Sequence, residues 1–460
     1  MEFLGSSYLL ESRTAQSLYQ EVRNLPIVDP HNHADIREIV ENRCWKDIWE
    51  VEGATDHYVW ELMRRCGIDE ELVTGSASNR EKWGALARVF PKFIGNPTYE
   101  WIHLDLKRRF GIVEVIREET AGVIWETTQE ALRQDEFKPM QILEKMKVEI
   151  MCTTDDPTLH LPYHERARKG SFSTRIFPTW RPDKLMNLNS RTWGATIHRL
   201  ASESDTDISS LQDLLSVLES THTYFSSLGC AASDHGLSQP FSADIRLSEV
   251  ESIFQKAIRM EDLKREEIDK FKAFMLVFFA ELNSESNWVM QLHIGPVRDY
   301  RDSLYQNLGP DSGGDISSNQ VEYVDNLRFL LNRFDNRLPI ILYCVDPIHL
   351  PTLATIARAF PNVFLGAPWW FNDSPIGMER QLEYIASVDL LWSHAGMVTD
   401  SRKLISFGSR TEMFRRILCN VTGKMIERGQ LPADPGLDLV RWLSYQRQIE
   451  LFFSRKSKNE

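Results

Sequence analysis

Apolar letters along this chain fall into two rhythms. Short apolar or β-branched runs, each closed by polar letters, recur at 26–31 (PIVDPH), 147–153 (KVEIMCT), 173–179 (STRIFPT) and 228–233 (LGCAAS). They continue at 288–294 (WVMQLHI), 338–345 (LPIILYCV), 362–368 (NVFLGAP) and 388–395 (VDLLWSHA). Between the later runs lie stretches of helical spacing, such as SNQVEYVDNLRFLLNRF, LPTLATIARAF and SPIGMERQLEYIASV. Bounded apolar runs read as buried strands, and their alternation with helices reads as parallel βαβ units. The eight runs predict an α/β fold, a closed TIM-type (β/α)8 barrel. A doubly wound sheet is the structural alternative.

Two stretches exceed a minimal barrel. Residues 36–146 are rich in Trp, charge and helix formers, and read as a large helical insertion after the first strand. Residues 234–287 read as a second helical excursion. No repeat or linker divides 1–460, so one domain is expected; GPDSGGD at 309–315 is too short for a linker, and the tail 454–460 is expected to fray.

The charge balance narrows the partners. A net charge of -13 argues against nucleic acid, which needs a basic surface, yet a local Arg cluster still suits an anionic small molecule. Six cysteines without C-x-x-C pairs indicate neither a disulfide framework nor a thiolate zinc site. The N-terminus lacks the basic n-region of a signal peptide, and no apolar run is long enough for a bilayer. The chain therefore reads as a soluble, cytoplasmic protein without a membrane partner; a homo-oligomer is left open.

Candidate chemistry sits at the ends of the runs. If 26–31 is a strand, His31 and His33 point the same way, into the mouth of a barrel, where two imidazoles can share one ion. The same triplet can also be a turn after Pro30. In a closed barrel the last strand abuts the first, which lets Asp400 face the His pair, although Thr-Asp-Ser also suits a helix N-cap. His293 ends the fifth run. Arg298 follows it, and a guanidinium fork suits a carboxylate. Two tryptophans, Trp369 and Trp370, suit a sugar face or a dry wall. His57 and Tyr58, opening a helical pattern in the insertion, form an acid–base pair if the insertion folds over the mouth. Asp234 and His235 close the fourth run with the same ambiguity between chemistry and packing.

In order along the chain, VDPHNH, GATDHYVWELMRRCGI, TTDDP, RPDKL, SDHG, LHIGPVRD, LGPDSGGD, WWFND and GMVTDSR resemble the uronate (glucuronate) isomerases of the amidohydrolase superfamily, from about residue 25 to 420. The resemblance implies one divalent ion, usually zinc, on His31, His33 and Asp400. It places His57, Tyr58, Asp234, His293, Arg298, Arg402 and one tryptophan, taken as Trp369, around a uronic acid substrate. It implies interconversion of D-glucuronate with D-fructuronate and of D-galacturonate with D-tagaturonate, by proton transfer through an enediol. Tyr58 is the proton carrier it suggests, which needs its pKa to fall from near 10. Asp234 or Asp400 is the group expected to assist ring opening.

Departures from the family pattern fall at Ser393-His394, with His394 an extra potential ligand or a neutral replacement, and at Pro296 and Asp299. A mononuclear metal-dependent hydrolase of the same superfamily and a non-catalytic sugar-acid binder are the competing readings. The fourth run carries no Lys or Glu to bridge two metals, and the sixth ends without a His, which favours one ion.

Overall fold

The computed structural model describes residues 2–454, so the expected fraying of the tail lies, from residue 455 on, outside the described residues. Of the eight predicted runs, seven form strands. In chain order these begin with β1 (Ile27–Asp29), β2 (Val148–Cys152), β3 (Arg175–Phe177), β4 (Ala232–Leu237) and β5 (Val289–Ile294). Two short strands, β6 (Pro296–Val297) and β7 (Ile316–Ser317), then pair as an antiparallel ribbon. β8 (Ile340–Cys344) and β9 (Val363–Leu365) complete the set.

The main strands are parallel throughout, in the orders β1-β2-β3 and β4-β5-β8-β9. Single bridges from Asp155 to Trp180 and from Trp180 to Ser233 join the two sheets. Every residue of β5 is buried, as a strand covered on both faces requires.

The eighth run departs from expectation. Leu391–Ser393 forms a single 3-10 turn, and no strand covers 388–395. Gly396, at φ +89°, then bends the chain. Beyond it the backbone runs between β9 and the end of β1: Ala395 N–H donates to Leu365 O (2.9 Å) and Asp400 N–H to His31 O (3.1 Å).

The fourth run also shifts. Strand pairing begins at Ala232 and continues to Leu237, so the polar letters taken as the strand's end lie inside it. The helical excursion begins after it, with Leu247–Ile258 and Arg265–Glu285.

Between β1 and β2 the chain is helical from Ile36–Glu41 to Pro139–Lys145. These helices bury Trp49, Trp83, Phe90 and Ile102 in an apolar cluster of their own, which reaches Ile27, Met151 and Leu404 near the strand ends. A larger cluster fills the space between the remaining strands and helices. Among the described residues no helix is long and apolar enough to cross a membrane.

Candidate active site

β1 ends at Asp29, yet the strand-like alternation continues two pairs further. His33 N–H donates to Ser401 O (2.9 Å) and His31 O accepts from Asp400, while Asn32 N–H turns the other way, to Cys152 O (3.1 Å). Residues 31 and 33 therefore face one side and 32 the other. Both imidazoles converge on one atom: His31 Nε2 and His33 Nε2 each lie 3.1 Å from Asp400 Oδ1. The three donor atoms lie within 4.8 Å of one another.

Asp400 adopts a left-handed φ of +49°, one of the few non-glycine residue types that tolerate it. Its other oxygen, Oδ2, accepts from Trp369 Nε1 (2.8 Å). Burial alone would raise its pKa; hydrogen bonds from His31 and then His33 hold it well below the usual carboxylate range. Asp29, beneath this pair, anchors the strand end by accepting from both the backbone and the hydroxyl of Thr399 (2.8 and 2.6 Å).

A second group of potential ligands, His31, Asp234 and His293, lies next to the first. Its charge is already met. Asp234 Oδ1 is 2.6 Å from His293 Nδ1, and Oδ2 is 2.9 Å from Arg181 Nη1. Burial would raise the Asp234 carboxyl, but Arg181 first, then His31 and His293, hold it well below its ordinary value. Asp234 is completely buried, so it orients His31, His293 and Arg181 from behind. That differs from the expected place around the substrate. His293 is held neutral by burial, at about 4. With Nδ1 committed to Asp234, its unpartnered Nε2 is the free acceptor on the cavity wall.

His31, His33, Asp400 and His293 line a cavity of about 560 Å³, shared by His57, Thr154, Asp155, Arg181, Arg298, Trp369, Trp370 and Arg402. Both tryptophans line it: Trp369 holds Asp400, and Trp370 carries the Arg298 guanidinium 4.6 Å above its ring. Arg402 makes no ion pair among the described residues. Asp155 lines the wall with a carboxyl that burial pushes up to about 7.

The helix His57–Arg65 is capped by Asp56, whose side chain accepts from Tyr58 N–H. This start brings His57 to the cavity, with its ring edge-on to Trp370 (5.6 Å). Burial, then Arg402, lowers the imidazole to about 3. Tyr58 stacks behind His57 at 4.4 Å, under the Arg410 guanidinium. Its hydroxyl is buried without a hydrogen-bond partner, and burial raises its pKa well above 10. The lowered phenol pKa expected of a proton-accepting Tyr58 is thus reversed, because Arg410 offsets burial only in part.

His394 lies away from both ligand groups. Its Nδ1 accepts from Gly396 N–H (3.0 Å), and burial drives it down to about 3. It belongs to the 394–400 turn and is no extra ligand. Unfolding exposes it to an ordinary pKa near 6.5, so the unfolded chain binds the extra proton between these values. Its contribution is intact above about pH 6.5 and falls by about 1.4 kcal/mol per pH unit toward 3. His394→Gln should therefore flatten the acid side of a stability–pH curve from urea melts. An unchanged slope would show that the imidazole is already charged in the fold.

Two important residues lie outside the expected set, and only the first carries a signal in the sequence. Arg181 stands in the quoted RPDKL, just past β3, where a barrel strand's end points to the mouth. Lys403, three residues after Asp400, has no sequence signal; its burial beside Glu52 and Asp56 appears only in three dimensions.

Parallel strands whose ends present a His-His-Asp donor set above a buried Asp–His–Arg group define an α/β protein with a candidate metal centre. The sequence profile of the glucuronate isomerase family matches residues 1–452, and the chain belongs to that family. It is 57% identical over 451 residues to a uronate isomerase of Thermotoga sp. (strain RQ2), covering 98% of this chain and 100% of that one. The crystal structure of uronate isomerase from Thermotoga maritima superposes with a TM-score of 0.97 at 56% identity, covering 98% of this chain and 100% of that chain. That of glucuronate isomerase from Caulobacter crescentus superposes with 0.93 at 27% identity, covering 96% and 95%.

Proposed function

We infer that this chain is a uronate isomerase, an aldose–ketose isomerase interconverting D-glucuronate with D-fructuronate and D-galacturonate with D-tagaturonate. The observation that carries the reading is one cavity that joins the His31–His33–Asp400 donor set to His57 and to three guanidinium groups. Membership of the family, at 57% identity to a named uronate isomerase, supports the reaction.

We further propose that the strands and the 394–400 segment close into an eight-membered TIM-type barrel. The bridges through Trp180 join β3 to β4, and the bonds of Ala395 and Asp400 join β9 to β1, supporting closure. The 36–146 helices are then an insertion on one end of a single domain.

Two imidazoles and a carboxylate with room beside them suit one divalent ion, and zinc in particular. When bound, such an ion supplies Lewis-acid polarisation of the sugar's carbonyl and hydroxyl oxygens. Arg181 beside Asp234 places a fixed positive charge where a second ion would need a free carboxylate, which favours a single ion over the two-metal hydrolase reading.

The chain's own groups divide the rest. Arg298 grips the C6 carboxylate, Arg402 stands beside the donor set, and Trp369 and Trp370 wall the sugar. His293 Nε2 accepts a hydrogen bond from a sugar hydroxyl. His57, neutral and on the wall, takes the C2 proton and returns it to C1, while Tyr58, a protonated phenol behind it, gives its proton to O1 and regains one from O2, so both groups end the enediol path as they began.

Metal-reconstituted protein incubated with glucuronate or galacturonate in D2O should form ketose with deuterium at C1, read by NMR. Uronate binding without ketose over long incubation sinks the isomerase reading and leaves the binder. His57→Asn and Tyr58→Phe should each lower kcat by roughly 100-fold or more, with metal content unchanged. A normal kcat in either variant removes that residue from proton transfer.

A further inference from the structure

Between β5 and β8 the chain leaves the strand layer as the β6–β7 ribbon, which carries Arg298 at one edge and the GPDSGGD stretch at the other. Asp315 links the two edges. Its Oδ1 accepts from Asp299 N–H (2.6 Å), at a residue with φ +54°, and its Oδ2 lies 3.4 Å from Arg298 Nη1. Asp315 is 5% exposed, whereas Arg298 is 41% exposed.

The turn before it is docked elsewhere. Gly313 and Gly314 have φ near +90°, and a Cβ at Gly313 would lie 2.9 Å from Glu61 Cγ. Gly314 N–H donates to Glu61 Oε1 (3.3 Å), and Arg64 donates to Ser312 O. Glu61 and Arg64 belong to the helix that begins at His57.

We propose that Asp315 is a positioning residue for carboxylate recognition, acting through Arg298, and that the Gly313–Gly314 turn fastens this arm to the His57 helix. An exposed arginine loses rotamer freedom when it binds; pairing one Nη in advance removes part of that cost. The contact uses Nη1 alone and leaves the Nε–Nη2 edge for a two-point grip on a carboxylate. Arg402, two residues from Asp400, stands at the donor-set end, so Arg298 reads the far end of the sugar.

This rests on the uronate reading, so the first measurement is turnover of D-glucuronate by the metal-loaded wild type; no turnover sinks that reading before any variant is compared. The variants are Asp315→Asn, Arg298→Met and the double substitution, assayed for kcat and KM. They are also assayed for inhibition by D-glucarate, which carries carboxylates, and by neutral D-glucitol. Asp315→Asn should raise KM and the glucarate inhibition constant roughly tenfold, with a smaller change in kcat. The glucitol constant should stay within about twofold, and in the Arg298→Met background the added effect should also be below about twofold. Equal weakening of glucitol, or additive losses in the double variant, overturns the proposal. If Asp315→Asn does not fold, Asp315→Ser carries the same cycle.

Discussion

An Asp400→Asn enzyme is expected to lose its bound ion and nearly all turnover. Asp400 Oδ1 is the one atom that both His31 Nε2 and His33 Nε2 approach, while Oδ2 accepts from the Trp369 indole. An amide removes the negative charge, and it offers only one acceptor. If its oxygen keeps the histidines, its NH2 faces the indole N–H, donor against donor; the reverse orientation turns the NH2 toward the imidazoles. Even outer partners of metal ligands cost roughly 10- to 100-fold in affinity, and a direct ligand should exceed that. Activity should fall by about a thousandfold or more, since electrostatic stabilisation at the reacting oxygens goes with the ion. Metal analysis after gel filtration, beside the ketose assay, checks both halves. Retained stoichiometric metal would show that the two histidines suffice.

The second large effect is on stability. Lys403 and its partners are almost wholly out of water: Lys403 is 2% exposed, Glu52 0% and Asp56 4%. Nζ lies 2.8 Å from Glu52 and 3.0 Å from Asp56. Burial raises the Glu52 carboxyl, whereas Lys403 overcomes burial at Asp56 and lowers it. Lys403→Met leaves Asp56 as an uncompensated buried charge, which typically costs about 3–5 kcal/mol. Adding Asp56→Asn removes that charge and keeps a good helix cap, so the double variant should recover at least half of the loss. Denaturant midpoints with unchanged slopes provide the measurement. A loss below about 1 kcal/mol in the single variant would mean that water reaches the group. The same contacts tie the start of the His57 helix to the 400–403 turn, so one cluster holds both sides of the cavity in register.

Most of the strands were legible because burial on two faces forces continuous apolar runs. β5, VMQLHI, is the clearest case. β4 was misplaced for the opposite reason. Ser233, Asp234 and His235 are polar letters inside a buried strand, kept there by partners that a linear reading does not see: His293 and Arg181 for Asp234, Asn283 for Ser233. Local rules fail where the site is built. The eighth run failed through Gly396 and the 3-10 turn at Leu391–Ser393, which replace a regular strand with single hydrogen bonds on each side.

At the site, alternation did place His31 and His33 on one side, and chain order set Asp400 near them. Side-chain burial was not legible. It puts Asp234 behind the cavity and Tyr58 behind His57, and it turns His394 into a turn anchor. Nor did the sequence distinguish Trp369 from Trp370, because both face the cavity with different partners.

The guanidinium of Arg181 has a consequence for inhibitor chemistry. Compounds built to straddle two ions, such as bridging hydroxamates, find here a donor set of three residues and, beside it, a permanent organic cation that cannot be chelated away. Because Asp234 and Asp183 already neutralise that cation, an inhibitor suited to this architecture carries one chelating head for the three-residue donor set, joined to a sugar-acid body, and no second anionic arm.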